Sequence, residues 1–150
     1  MRFAPLVVAA SLLAAGSAFA AGPCDLEIEG TDAMKFSKDS LSVPSSCKKV
    51  TLKLVHSGKL PKVSMGHNWV LTKTSDMASV AADGIPAGAD KGYLKPGDAR
   101  VLAATKLIGG GENDTVSFDT SKLKVGEAYS FFCSFPGHSA LMKGTFAVTK

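Results

Sequence analysis

The chain has 150 residues, with 17 lysines and arginines against 13 acidic residues and a formal net charge of +4 at pH 7. The basic residues are spread along the chain and no basic run is interleaved with aromatic residues, so the pattern gives little support to nucleic-acid binding. The length suits one domain with a substantial hydrophobic core.

The first 20 residues have the layout of a secretory signal peptide. Arg2 gives a positive start, Leu6 to Ala15 is almost wholly apolar, and Ala18 to Ala20 forms an A-x-A cleavage site. The apolar stretch is shorter than the roughly 20 residues that span a bilayer, which makes a membrane anchor the weaker alternative. We therefore expect residues 1–20 to be removed on export, and residues 21–150 to form a single domain without a membrane anchor.

Three cysteines remain after export: Cys24, Cys47 and Cys133. An odd count in an exported protein suggests one disulfide and one thiol with another task. If Cys24 and Cys47 are joined, closing that loop stabilises the fold by roughly 3 kcal/mol on the chain-entropy view. A lone cysteine is most often a buried apolar residue, but an unprotected thiol is a liability in an oxidising compartment. We therefore expect a ligand at Cys133.

Short β-prone segments, several with alternating apolar residues, recur between Gly, Pro, Asn and Asp turn signals. This pattern is typical of an all-β sandwich or barrel. The predicted strands are Leu26–Glu29, Val50–Leu54, Trp69–Thr72, Arg100–Ala103, Val116–Phe118, Tyr129–Phe131 and Gly144–Val148.

One segment, Ser75–Ala82, breaks the strand pattern. Met77, Val80 and Ala81 have the i, i+3, i+4 spacing of a short helix. We predict a helical flap inserted between strands, followed by an irregular loop up to Lys91.

The segment that carries chemistry begins at Cys133 and continues through His138 to Met142. Pro136 and Gly137 mark a turn, so the segment is predicted to be a loop that can bring the three side chains together. Thiolate, imidazole and thioether are soft ligands that favour copper, especially Cu(I).

A second imidazole is available upstream at His67, just before a β-prone run. It would complete a His₂Cys set with a weak axial methionine, which is the blue-copper arrangement. Gly66 leaves its carbonyl unshielded by a side chain, so that carbonyl could approach the metal from the opposite side. Each residue alone has an ordinary structural explanation, but their combination seldom does.

The segments Met65–Trp69 and Cys133–Gly144 resemble the two ligand segments of the azurins, in the blue-copper (cupredoxin) family. The gap between His138 and Met142 fits azurins better than plastocyanins. The likeness extends to the two N-terminal cysteines, the Asp90–Pro96 turn and Thr105–Gly109, and so covers nearly the whole mature chain.

This resemblance implies a Greek-key β-sandwich with a helical flap and a disulfide between Cys24 and Cys47. It implies one copper ion, cycling between Cu(I) and Cu(II). The implied ligands are His67, Cys133 and His138, with Met142 and the Gly66 carbonyl as distant axial contacts. Asn68 resembles the residue that ties the two ligand segments together, and backbone N–H groups of Asn68 and Phe135 are expected to bond the Cys133 sulfur.

The resemblance also implies a diffusible one-electron carrier of the bacterial periplasm, and not an enzyme. Its expected partners are redox proteins such as cytochromes or periplasmic reductases, bound weakly and transiently at an apolar patch around His138. By position, the patch comprises Met34, Leu60, Met65, Ile85, Pro136, Gly137 and Leu141, with Ile85 in place of the methionine often seen there.

Three other functions remain to be weighed. A copper carrier or storage protein would favour open access to the metal, which a closed set of one thiolate and two imidazoles opposes. A copper enzyme such as a nitrite reductase or oxidase needs a further metal site, for which only His56 is left. A structural β-sandwich with an incidental cysteine is the third alternative.

His56 itself ends a predicted strand, and a functional role and a purely structural role for it remain equally open.

Overall fold

The computed structural model describes residues 22–150, so the expected signal peptide lies outside the described residues. Within this range nine strands form two sheets, in the orders β2-β1-β4-β7 and β3-β9-β8-β5-β6. The strands are β1 (Asp25–Thr31), β2 (Lys35–Phe36), β3 (Ser40–Pro44), β4 (Lys49–His56), β5 (Val70–Lys73), β6 (Ala103–Ala104), β7 (Asn113–Asp119), β8 (Tyr129–Phe132) and β9 (Lys143–Thr149). The predicted all-β sandwich with a short helical flap is confirmed.

Two short α-helices, α1 (Lys62–Met65) and α2 (Met77–Gly84), interrupt the strands. Single 3₁₀ turns lie at Thr74–Asp76, Ile85–Ala87, Ala89–Lys91 and His138–Ala140. Between residues 22 and 150, no helix has both the length and the apolar character that crossing a membrane requires.

The period-two alternation of β4 places its apolar side chains in the core between the sheets. Val50, Leu52 and Leu54 are fully buried, while Lys49 and Lys53 face solvent. At the centre of the core, the Trp69 ring lies 6.0 Å from the rings of Phe118 and Phe131 and 6.3 Å from that of Phe146. These aromatic side chains contribute much of the buried apolar area that holds the sheets together.

The flap helix α2 covers the outer face of strands β5 and β8. Val80 of α2 packs against Val70 and Phe132, which is why β8 is buried on both faces. The predicted helix is confirmed, although its first turn is a 3₁₀ turn. It ends at Gly84, where an added Cβ would lie 2.1 Å from the Tyr93 carbonyl oxygen, so only glycine fits this close approach.

The predicted strand Arg100–Ala103 is wrong for most of its length, because the strand begins only at Ala103. The Val101 N–H bonds the Asp98 carbonyl at 3.1 Å, and Arg100 donates its backbone N–H to the Asp98 carboxylate at 3.0 Å. These local bonds hold the backbone in a turn and remove it from the sheet. Strands β2 and β3 and helix α1 were not among the predicted elements, and the predicted loop up to Lys91 contains two 3₁₀ turns.

Cys24 and Cys47 form a disulfide with their Cα atoms 5.6 Å apart, and Cys133 is free and buried. The bridge links the residue before β1 to the turn before β4, and so fastens two strands that pair in parallel. The expected disulfide is therefore present in the fold.

Arg100 ties the Asp98 turn to the flap. Its Nη2 lies 2.6 Å from Asp98 and 2.7 Å from Asp83 of α2. The hydrogen bonds that Asp98 accepts from Arg100 hold the pKa of this carboxyl at about 2, below its ordinary 3.8. Because the folded-state pKa is the lower one, the ionised carboxylate stabilises the fold above pH ~4, and this contribution is lost as the pH falls towards ~2.

We expect Asp98→Asn to flatten the decline of the unfolding free energy between pH ~4 and ~2, measured by urea titration. The exposed Asp90 makes no ion pair among residues 22–150, so Asp90→Asn serves as the matched control. An acid dependence of Asp98→Asn identical to that of the wild type would contradict this role.

Candidate metal centre

Three buried side chains, those of His67, Cys133 and His138, converge at one end of the sandwich. Their potential ligand atoms all lie within 4.8 Å of one another. The Cys133 Sγ is 3.9 Å from Nδ1 of His67 and 3.6 Å from Nδ1 of His138. One sulfur and two ring nitrogens therefore face a common point, and this donor set suits copper.

His67 is positioned by a two-way backbone bridge to Ile108. The His67 N–H donates to the Ile108 carbonyl at 2.9 Å, and the Ile108 N–H donates to the His67 carbonyl at 2.8 Å. On the side chain, Nε2 donates to the Thr31 carbonyl at 2.9 Å, which leaves Nδ1 unprotonated and directed towards Cys133. The ring is thus held in the tautomer that can bind a metal through Nδ1.

The other ligand candidates lie on the loop between β8 and β9. Cys133 directly follows β8, and its N–H donates to the Met142 carbonyl at 3.0 Å across the loop. Gly137, in the left-handed region at φ 84°, precedes the 3₁₀ turn that begins at His138. This conformation favours glycine, and it brings the imidazole back over the cysteine.

Burial sets the protonation of the cluster. Desolvation lowers the pKa of His67, and it lowers that of His138 to about 4, assisted by repulsion from His67 and His56. Both imidazoles are therefore neutral at pH 7, which is the metal-binding form. Burial raises the pKa of Cys133 to about 11, although hydrogen bonds from the backbone of Asn68 and Phe135 act in the opposite direction. A cation bound beside the Cys133 sulfur would favour the thiolate.

Asn68 and Ser134 join the two ligand-bearing segments, which are 66 residues apart in sequence. The Asn68 Nδ2 donates to Ser134 Oγ at 2.7 Å, and the Ser134 N–H donates to Asn68 Oδ1 at 2.9 Å. Both side chains also donate to the Gly92 carbonyl, at 3.0 Å and 2.6 Å. We call this group of bonds the Asn68–Ser134 clamp. It holds the neighbours of His67 and Cys133 together without any metal.

Met142 is fully buried beside the ring of His67. A Cβ built on Gly30 would lie 2.8 Å from His67 Cδ2 and 3.4 Å from Met142 Cε, so both side chains occupy the space that glycine leaves open. The Gly66 carbonyl oxygen is 3.8 Å from Cys133 Sγ. A Cβ on Gly66 would lie 2.6 Å from the Lys62 carbonyl oxygen, so close packing requires glycine there.

His56 lies behind His67, with ring centroids 4.3 Å apart and planes tilted by 14°. Its Nδ1 accepts the Gly58 N–H at 3.1 Å, so Nε2 carries the proton and donates to the Met65 carbonyl at 2.8 Å. Both ring nitrogens are therefore used to hold the segment before His67. This is a structural contact rather than a place in the cluster.

Several residues that build the site were not predicted from the sequence: Gly30, Thr31, Gly92, Ser134 and Ile108. Thr31 and Ile108 contribute backbone groups, for which the side chain gives no signal. Ser134 stood in the ligand loop, but nothing local indicated its partner 66 residues away.

His138 keeps 3% of its surface exposed, whereas His67, Cys133 and Met142 have none. Its Nε2 makes no hydrogen bond within residues 22–150 and is not among the buried unpaired polar atoms there, so it reaches solvent. The Phe135 ring lies 4.5 Å away. Of the predicted patch, Leu60, Ile85, Gly137 and Leu141 are exposed, and Met34, Met65 and Pro136 are half-buried.

Comparison with known proteins agrees with this geometry. The model of the family "Copper binding proteins, plastocyanin/azurin family" matches residues 22–149, and the chain belongs to that family. It is 60% identical to an azurin of Bordetella pertussis over 136 residues, covering 90% of this chain and 91% of the relative. An azurin of Pseudomonas aeruginosa is 56% identical over 140 residues, covering 93% of this chain and 95% of the relative. An azurin of Pseudomonas chlororaphis is 58% identical over 121 residues, covering 81% of this chain and 94% of the relative.

The protein is accordingly a copper-dependent electron-transfer protein and not an enzyme. The sequence-based expectations of this family, its function and its copper cofactor are confirmed.

Proposed function

We propose that His67, Cys133 and His138 hold one copper ion in this protein, with Met142 and the Gly66 carbonyl as weak axial contacts. The observation that carries the proposal is the convergence of one sulfur and two neutral imidazole nitrogens within 4.8 Å in a buried cluster. Bound copper supplies a one-electron couple between Cu(I) and Cu(II).

The protein's own contribution is to keep the donor atoms fixed while the charge of the site changes. The Thr31 bond holds the His67 ring, and the Asn68–Ser134 clamp holds the backbone on either side. The cluster is almost closed to solvent, which leaves no position for a substrate. A rigid, preorganised site needs little rearrangement on gaining or losing an electron, and this suits a carrier.

We infer that the protein works in the periplasm, exchanging electrons with redox proteins such as cytochromes or periplasmic reductases. The signal-peptide layout of residues 1–20 and the Cys24–Cys47 disulfide support an oxidising, exported setting. The solvent-facing Nε2 of His138 and the apolar residues around it support docking there, since a small uncharged surface suits brief complexes.

Titration of the metal-free protein with Cu(II) tests the copper proposal. We expect uptake of one equivalent, measured by elemental analysis, together with an intense visible charge-transfer band from the thiolate–Cu(II) bond. Ascorbate should bleach the band and ferricyanide should restore it. A protein that takes up one equivalent of Cu(II) yet stays colourless would refute thiolate ligation.

The proposed axial role of Met142 predicts a change of potential without loss of metal. Met142→Leu should keep the visible band and raise the reduction potential by roughly 60 mV, because an electron-donating contact to Cu(II) is lost and a tenfold shift in equilibrium is about 59 mV. Protein-film voltammetry measures this, with Met34→Leu as the control. A lower potential, or an apoprotein that no longer takes up copper, would count against an axial thioether.

A further inference from the structure

A groove of about 600 Å³ lies beside the metal cluster, between α1 and the segments Ala89–Gly92 and Ala104–Leu107. Three exposed lysines, Lys62, Lys91 and Lys106, line it, and Asp90 is the acidic residue in its wall. None of these lysines is in an ion pair within residues 22–150. The groove therefore presents a net positive charge from lysines that are not in ion pairs, and we call it the lysine groove.

The lysine groove also has an apolar side chain with no partner. Val63 stands next to Lys62 on α1 and is 83% exposed, more than any other large apolar side chain among residues 22–150. Leu107, which is buried, contributes to the floor. The groove thus combines three cationic groups with an apolar anchor point.

The floor of the groove is bonded directly to the ligand-bearing segments. The carbonyl of Gly92, at one wall, accepts two of the hydrogen bonds of the Asn68–Ser134 clamp, one from each side chain. Thr105 accepts the Trp69 N–H through its hydroxyl at 2.9 Å. Helix α1 carries Lys62 and Val63 at its start and ends at Met65, a residue of the proposed docking patch. The groove and the apolar patch are therefore neighbouring parts of one face.

We propose that the lysine groove docks an extended acidic segment of a redox partner, with carboxylates on Lys62, Lys91 and Lys106 and an apolar side chain on Val63. This inference rests on the proposed electron-transfer function. The redox partner that binds the apolar patch would make a second, charge-selective contact in the groove. Complementary charge raises association rates and orients the encounter. A nucleic acid fits less well, because the groove has no aromatic side chain on which bases stack.

Binding of a peptide of six glutamates to the copper-loaded, reduced protein tests this, followed by amide chemical shifts in two-dimensional NMR. Cu(I) is diamagnetic, so signals near the cluster remain visible. Shifts should concentrate at Val63, Gly92 and Lys106 and disappear at high salt. Replacing Lys62, Lys91 and Lys106 together by glutamine should weaken binding about tenfold, since each exposed pair contributes modestly.

The matched control replaces Lys48, Lys49 and Lys122 by glutamine. These lysines are exposed near the start of β4 and the end of β7, away from the groove. The control changes the net charge by the same amount and should leave binding nearly unchanged. Equal weakening by both triple variants, or shifts scattered over the surface, would overturn the proposal. Tighter binding of a twelve-nucleotide thymidine strand than of the glutamate peptide would also overturn it.

The visible band is recorded for the same groove variant and should match the wild type, because the groove lysines lie outside the metal cluster. A wild type without the visible band refutes the copper proposal, whereas a wild type with the band and no peptide binding refutes the lysine groove alone.

Discussion

Replacing Cys133 by serine should abolish the intense visible band of the copper-loaded protein while leaving the domain folded. The band requires a thiolate bonded to Cu(II), and a serine hydroxyl stays protonated and is a harder, weaker ligand for copper. The comparison is made by visible spectroscopy at equal copper occupancy, with circular dichroism to monitor the fold. Ala140→Ser, which adds a hydroxyl to the same loop without removing the thiol, is the control and should remain coloured.

The domain should stay folded because the Asn68–Ser134 clamp does not involve the thiol, and neither does the backbone hydrogen bond from the Cys133 N–H to the Met142 carbonyl. The cost is the burial of a hydroxyl where a sulfur stood, about 1–3 kcal/mol of unfolding free energy. A Cys133→Ser protein that keeps the band would show that Cys133 is not the thiolate ligand.

Leu141→Asp should slow electron self-exchange about a hundredfold while leaving the visible spectrum nearly unchanged. Self-exchange brings two copies together at the proposed patch, so the variant places two like charges opposite each other in a surface that must lose water. Such a juxtaposition costs several kcal/mol, and about 2.8 kcal/mol corresponds to a hundredfold loss. Leu141 is 65% exposed, so the substitution does not disturb the core.

Met65→Lys tests the same surface with the opposite charge, and Val125→Asp is the matched control. Val125 is 45% exposed in the turn between β7 and β8. It precedes the start of β8, whereas Cys133 follows the end of that strand. NMR line broadening in mixtures of the two oxidation states gives the exchange rate. If Leu141→Asp and Val125→Asp exchange equally fast at high salt, where long-range charge effects are screened, the docking surface lies elsewhere.

The long strands and the ligand loop could be predicted because their signals are local. The alternation through Val50 and Leu54 follows the pleat of β4, and Cys133, His138 and Met142 lie on one short loop. The strand prediction for Arg100–Ala103 was wrong because these β-prone residues follow Asp98. The Asp98 carboxylate accepts a hydrogen bond from the nearby backbone and holds it in a turn.

The remaining features depend on contacts between distant segments. Strand β3 is short and ends on a proline, and it is stabilised by parallel pairing with β9 at the other end of the chain. Thr31 positions His67 through a carbonyl that any residue would supply. Gly30 is required only because His67 and Met142 both pack against it. No pattern within a sequence window encodes such partnerships.

The spacing of the three cysteines also governs which of them becomes oxidised first. Cys24 and Cys47 are separated by 23 positions, whereas Cys133 follows Cys47 at roughly four times that distance. In an unfolded chain each doubling of a loop costs about 0.6 kcal/mol, so closure of the short loop is favoured over the long one by about 1.2 kcal/mol. In an oxidising compartment the N-terminal pair is therefore expected to close first, which leaves the Cys133 thiol reduced until it is buried.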